Sequence, residues 1–216
     1  MPLTLVEKIL AQHAGRDTVA AGERVRVAPR LVALDEDAVQ RLGLEGRAAD
    51  TIADGRRIAV FEEGFRAVPD GSWRALDRAA RAFARAAGAT FVAAGRGGAQ
   101  VVELADRGLV GPGDFVVSSA YGARALGVLG AVVLEPGDAI LGPLVGDPGF
   151  DVDVPRTVRV TLRGKPGRWC SGRDLGERAV AAVASDCVDA AVQFDGPAYA
   201  ELELPERIAL ADAFVD

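Results

Sequence analysis

Short apolar runs alternating with helix-patterned stretches constrain this chain more than any other feature of its sequence. Ile58 to Phe61 (IAVF), Thr90 to Ala93 (TFVA) and Phe115 to Ser118 (FVVS) are too short for helices and lack polar alternation. Each therefore predicts a strand buried on both faces. Arg24 to Val27 and Val154 to Arg163 alternate polar with apolar residues and predict strands with one wet face, and Ala190 to Phe194 predicts a last strand. Leu3 to Ala14 sets Leu5, Ile9 and Leu10 at helical spacing, with Thr4 as N-cap, Glu7 as its capping-box partner and Gly15 as the stop. Trp73 to Ala87 gathers Leu76, Ala80, Phe83 and Ala87 on one face before Gly88. Ala123 to Val133, Asp138 to Val145 and Leu175 to Ala184 also read as helices, while Gly142 to Asp153 is the best candidate for a long loop. Alternating strands and helices are the signature of an α/β sheet with helices on its faces. No repeat or long linker divides the 216 residues, so one domain spanning 1–216 is expected.

The totals exclude several classes. Hydrophobic residues make up 50% and charged residues 26%, too apolar for a disordered chain. A net charge of −6 argues against a general binder of nucleic acid or anionic membranes. No apolar run approaches the ~20 residues that span a bilayer. No charged segment followed by an apolar one marks a secretory signal. Two cysteines make no disulfide framework, and a cytosolic protein with reduced thiols is the expectation.

Several segments carry a family resemblance in their order: MPLTLVEKILAQHAG (Met1 to Gly15), GRGGAQ (Gly95 to Gln100), GLVGPGDFVV (Gly108 to Val117), GVLGAV (Gly127 to Val132), VPRTVRVTLRGKPGRWCSGRDL (Val154 to Leu175) and LPERIALADAF (Leu204 to Phe214). Together they resemble the first domain of the aconitase superfamily, and within it the large subunit of isopropylmalate dehydratase. The resemblance covers roughly Thr4 to Phe214 and implies a three-layer α/β/α domain with a mostly parallel sheet. It also implies iron–sulfur hydro-lyase chemistry, in which a cluster held by several cysteine thiolates takes the leaving hydroxyl.

The residues for that chemistry are missing. After the first strand, LVALDEDA puts Leu34, Asp35 or Glu36 where the family has a His-Asp or Asn-Asp pair. FEEGF puts Glu63 and Gly64 at the family's Asp-His. Aligned on GVLGA, Ala120, Tyr121, Gly122 and Ala123 replace its Asp-Ser-His-Thr, and Val101 replaces a further histidine. Imidazole transfers protons near neutral pH, and Gly, Ala and Val cannot. Cys170 and Cys187 fall where the family has no cluster ligands, so the expectation is no metal and no cofactor. His13, the one histidine, reads as a helix C-terminal residue bonded to the last carbonyls.

What remains is polar. Asp35, Glu36, Asp37, Glu62 and Glu63 lie near strand ends, as do Ser118, Ser119 and Tyr121, and strand carboxyl ends are where α/β sheets bind ligands. Glu63 is a candidate general base and Tyr121 a candidate general acid, with Ser118 and Ser119 beside the substrate. Arg66, Arg96 or Arg124 would grip a carboxylate through a bidentate fork. The competing reading is that these are solvated loop charges. GRGG (Gly95 to Gly98) is a strand-to-helix turn or, less simply, an anion cradle. Two functions therefore stand side by side. One is a cluster-free domain that binds a small carboxylate and acts as a lyase or isomerase in a specialised biosynthetic pathway. The other is a non-catalytic accessory or regulatory subunit that docks on a partner chain, and a homodimer would also cover exposed apolar surface.

Overall fold

The computed structural model describes residues 2–46, 51–62, 73–93 and 99–215. Its strands are β1 (Arg24–Val27), β2 (Leu31–Asp35), β3 (Ile58–Phe61), β4 (Thr90–Val92), β5 (Phe115–Ser118), β6 (Val132–Leu134), β7 (Phe150–Asp153), β8 (Arg156–Thr161) and β9 (Ala190–Asp195). Its helices are α1 (Leu5–His13), α2 (Glu36–Arg41), α3 (Trp73–Ala87), α4 (Gln100–Asp106), α5 (Asp138–Leu141), α6 (Gly172–Cys187), α7 (Pro197–Ala200) and α8 (Leu204–Asp212). Five strands form one parallel sheet in the order β4-β3-β2-β5-β6.

The period of two along a strand divides the core into two layers. Val32, Leu34, Ile58, Val60, Phe115 and Val117 face one way and meet Ile9 and Leu10 of α1, Val39 of α2 and Phe83 of α3. Leu31, Ala33, Ala59, Phe61 and Val116 face the other way and meet Leu104 of α4, Leu126 and Ile208 of α8. Every residue of β2, β3 and β5 is buried. The result is the α/β/α sandwich expected from the runs of apolar residues. The helices change face where the order of strand addition reverses. Crossovers keep one hand, so building β2, β3 and β4 outward puts α2 and α3 on one side, and returning past β2 to β5 puts α4 on the other.

The α1 capping box forms as expected: the Thr4 N–H donates to Glu7 Oε2 at 2.7 Å, the Glu7 N–H donates to Thr4 Oγ1, and Gly15 sits at φ 65° past the helix end. Other expectations need correction. Ala123 to Val133 is not an α-helix but a 3₁₀ segment, Ala123–Leu129, followed by β6. Gly130 at φ 80° leaves the helical region, and the apolar run alone cannot separate helix from buried strand. The stretch Asp138 to Val145 breaks after Leu141, and Pro143 restarts it as a short 3₁₀ turn. More than half of the expected loop Gly142 to Asp153 is that turn plus β7, which pairs antiparallel with β1. Helix α6 starts earlier than Leu175, because Ser171 and Asp174 form a reciprocal capping box. Among the described residues no helix is long and apolar enough to cross a membrane.

Strands β8 and β9 pair in parallel, joined by α6, as a separate two-stranded sheet. This unit is tied to the main body through α8, which packs against both α6 and the 3₁₀ segment Ala123–Leu129. Glycine permits the approach. A Cβ on Gly176 would lie 2.6 Å from the Leu210 carbonyl oxygen and 2.7 Å from the Ala213 Cβ, and one on Gly172 would lie 2.0 Å from the Glu206 carbonyl oxygen.

Two outcomes follow from this packing. Gly176→Ala should lower the urea unfolding free energy by about 1–3 kcal/mol because the α8 backbone must move. Gly127→Ala, whose added methyl meets nothing within 4 Å, should change it by less than about 0.5 kcal/mol. Stability should also fall in acid. The Thr4 backbone N–H, reinforced by the Thr4 hydroxyl and the Ala21 N–H, holds Glu7 below its ordinary value of 4.5. The Ser171 backbone N–H does the same for Asp174. Depressed carboxylates contribute stability above their unfolded values and lose it as pH falls through the folded ones. The melting temperature should therefore drop below about pH 4.5, and Glu7→Gln should flatten part of that drop.

Candidate functional site

The sheet reverses its order of strand addition between β2 and β5, and the crevice at the carboxyl ends of such a pair is where open α/β sheets take ligands. β2 ends on Asp35 and β5 on Ser118, so the sequence delivers a carboxylate and two hydroxyls to this point. Their mutual geometry is closed. The Ser119 hydroxyl donates to Asp35 Oδ2 at 3.0 Å, and the Asp35 N–H donates back to Ser119 Oγ at 2.9 Å. The Ala38 N–H donates to Asp35 Oδ1 at 2.6 Å, so the same carboxylate caps α2. Asp35 is only 8% exposed. Ser118 is fully buried, and its oxygen accepts from Gln100 Nε2 at 3.0 Å and from the Ala120 N–H at 3.1 Å. Ser119 is half-buried at the rim.

The other expected site residues separate into three groups. Tyr121 stands at the same edge and is 70% exposed, in a turn made possible by Gly122 at φ 85°. Arg124 is turned to structural work: its N–H donates to Glu135 Oε1 at 2.7 Å, its guanidinium faces Glu135 at 3.4 Å, and Nη2 donates to the Val215 carbonyl at 3.0 Å. Glu63, Arg66, Arg96 and the GRGG segment lie outside the described residues. The described chain stops at the carboxyl edge of the sheet at both places, at Glu62 after β3 and at Ala93 after β4, the far edge strand. Glu62 is held by Arg81 at 2.5 Å, and Arg81 also pairs with Asp77 at 2.8 Å and lies 4.5 Å over the Phe91 ring. Of the acidic stretch 35–37, Glu36 is buried as well, at 7% exposure, in the first turn of α2.

His13 sits at the opposite end of the sheet. Its Nδ1 lies 2.9 Å from the Ala28 carbonyl, before β2, and its Nε2 lies 3.2 Å from the Phe115 N–H, at the start of β5. The same Nε2 also lies 3.2 Å from the Gly113 carbonyl. The imidazole thus ties α1 to two loops at the amino edge rather than bonding its own helix's last carbonyls, and it is remote from the crevice.

An iron–sulfur cluster does not fit these residues. Cys170 precedes α6 and Cys187 ends it, which sets the two thiols roughly 24 Å apart at 1.5 Å per residue. Among the described residues no three His, Cys, Asp or Glu side chains come together in a way that could hold a metal ion. Burial, with Asp186 nearby, pushes the Cys187 thiol up, away from the thiolate a ligand must be.

Layer order and switch point define the class: a three-layer α/β/α domain, consistent with an aconitase-like one. The curated relatives are more particular. The whole chain aligns with 3-isopropylmalate dehydratase large subunits: 29% identical over 222 residues in Acetivibrio thermocellus, 30% over 223 in Nitratidesulfovibrio vulgaris and 28% over 221 in Moorella thermoacetica. It spans about half of their length, 52%, 53% and 52% respectively. No family model matches the chain. The chain is thus a dehydratase-like homologue, consistent with an aconitase-family domain.

The closed pairing was not legible in the sequence. Asp35 is visible as an N-cap before EDAV, but Ser119 lies 84 residues away and Gln100 lies 18 from Ser118, with no local pattern to link them. Asp35→Ala removes a cap and strands the Ser119 hydroxyl. It should cost about 1–3 kcal/mol in chemical unfolding. Ser118→Ala, which removes the acceptor of the buried Gln100 Nε2 and of the Ala120 N–H, should cost about as much.

Proposed function

We propose that this domain binds a small carboxylate at the β2–β5 crevice without an iron–sulfur cluster, and that it acts as a metal-free lyase or isomerase on a biosynthetic intermediate. The observation that carries this is the switch point itself, where Asp35, Ser118 and Ser119 are gathered at the carboxyl edge. In this reading Glu63 takes a proton from carbon as general base and the exposed Tyr121 hydroxyl protonates the leaving oxygen. Arg66 and Arg96 hold the substrate carboxylate, and Ser119 orients it from the rim. Asp35 is a positioning residue, because both of its oxygens are bonded within the protein. The two cysteines, at opposite ends of α6, support the reading that no cluster takes part.

A second reading has its own support. Ser118, Asp35 and Arg124 all bond within the protein, as structural residues do. On that reading the domain is a non-catalytic accessory subunit that docks on a partner chain.

Titration of ¹⁵N-labelled protein with malonate, succinate, malate and citrate separates the two. Saturable shifts at the Ser119, Tyr121 and Gly122 amides are expected, with affinity reduced about tenfold or more by Arg96→Gln, since each lost charged contact is worth ~1.5–3 kcal/mol. Absence of any shift at these amides with all four acids would sink the carboxylate reading and leave the accessory subunit.

A further inference from the structure

Most described arginines have a carboxylate partner, as in Arg26–Asp147, Arg41–Asp138, Arg107–Glu103 and Arg173–Asp212. The loop between β8 and α6 gathers three cations that do not. Arg163, Lys165 and Arg168 are all exposed there, and among the described residues none has a carboxylate within ion-pairing distance. The same loop ends on Trp169, 86% exposed, with the Arg168 guanidinium stacked 4.9 Å from its ring centre. A tryptophan that far into water beside three exposed cations in a chain of net charge −6 is the composition of a contact surface.

The neighbouring surface is its complement. The Gly172 N–H donates to the Glu206 carboxylate, which joins the end of this loop to the first turn of α8. Just before that turn stand Glu201 and Glu203, both exposed and both without an ion-pair partner among the described residues. Between them and Glu206, Leu204 is 44% exposed and Pro205 is exposed too. One end of the β8-α6-β9 unit thus carries exposed charge of both signs and exposed apolar surface side by side. Within one chain the two sets do not pair. Across a two-fold axis they do, because an isologous contact sets each patch against its own copy.

We propose that this end is a homodimer interface, in which Trp169 of each copy packs on the Leu204–Pro205 turn of the other and the cationic loop pairs with Glu201 and Glu203. A second copy fits better than a partner of one sign, which would leave either the three cations or the two carboxylates unmatched. The proposal does not depend on the crevice binding a carboxylate.

Sedimentation equilibrium over a concentration series tests it with the full chain. The wild type should have dimer mass, and Trp169→Ala should weaken the dimer about tenfold or more. R163E/K165E/R168E and E201K/E203K should each be monomeric alone, and mixing the two should restore dimer mass, since both contacts are then again between opposite charges. The substituted side chains are all exposed, so each variant should keep the wild-type circular dichroism spectrum. A wild type that is monomeric throughout, a dimer that neither charge variant breaks, or a mixture that stays monomeric would each overturn the interface.

Discussion

β2 is buried along all five of its residues, and the remainder of the molecule is arranged around that fact. A strand with no wet face needs a neighbour on each edge and a helical layer on each side. β3 and β5 take the edges. α1, α2 and α3 cover Val32 and Leu34, while α4, α8 and the 3₁₀ segment cover Leu31 and Ala33. The need to return past β2 after β4 is what reverses the sheet, and the reversal opens the crevice. The candidate site is therefore a by-product of how the central strand is buried.

That crevice is polar but locked. Asp35 carries one oxygen to the α2 cap and the other to Ser119, so the carboxylate that a sequence reading offers to a ligand joins two strands and a helix. A buried carboxylate is tolerable only when its lone pairs are taken up in this way. His13 follows the same logic at the other edge: an imidazole held among the backbone groups of Ala28, Gly113 and Phe115 is a brace between α1 and the sheet. The dehydratase-like frame persists while its ionisable groups bond inward.

The β8-α6-β9 unit depends on a different device. With two strands and one helix it cannot bury itself, and it gains a core only by laying α6 against α8. Gly172 and Gly176 let the backbones come close enough for that contact, which then transmits to the 3₁₀ segment and so to the switch-point edge. The same geometry brings the cationic loop and the acidic start of α8 together at one end.

The sequence alone determined the parts whose physics is local. Runs such as IAVF and FVVS marked strands buried on both faces, Thr4 with Glu7 marked a helix start, and the segment order marked an aconitase-like frame. Where a local pattern was ambiguous it misled: the apolar stretch from Ala123 to Val133 fits a helix, and only Gly130 and the free edge of β5 make its end a strand. Tertiary structure decided the rest: the strand order, the bond between Asp35 and Ser119, the remote partners of His13 and the clasp of α6 on α8. These join residues tens of positions apart. Periodicity and capping act over a few residues, whereas such meetings are set by which strands lie side by side, a choice made by burying the whole chain at once.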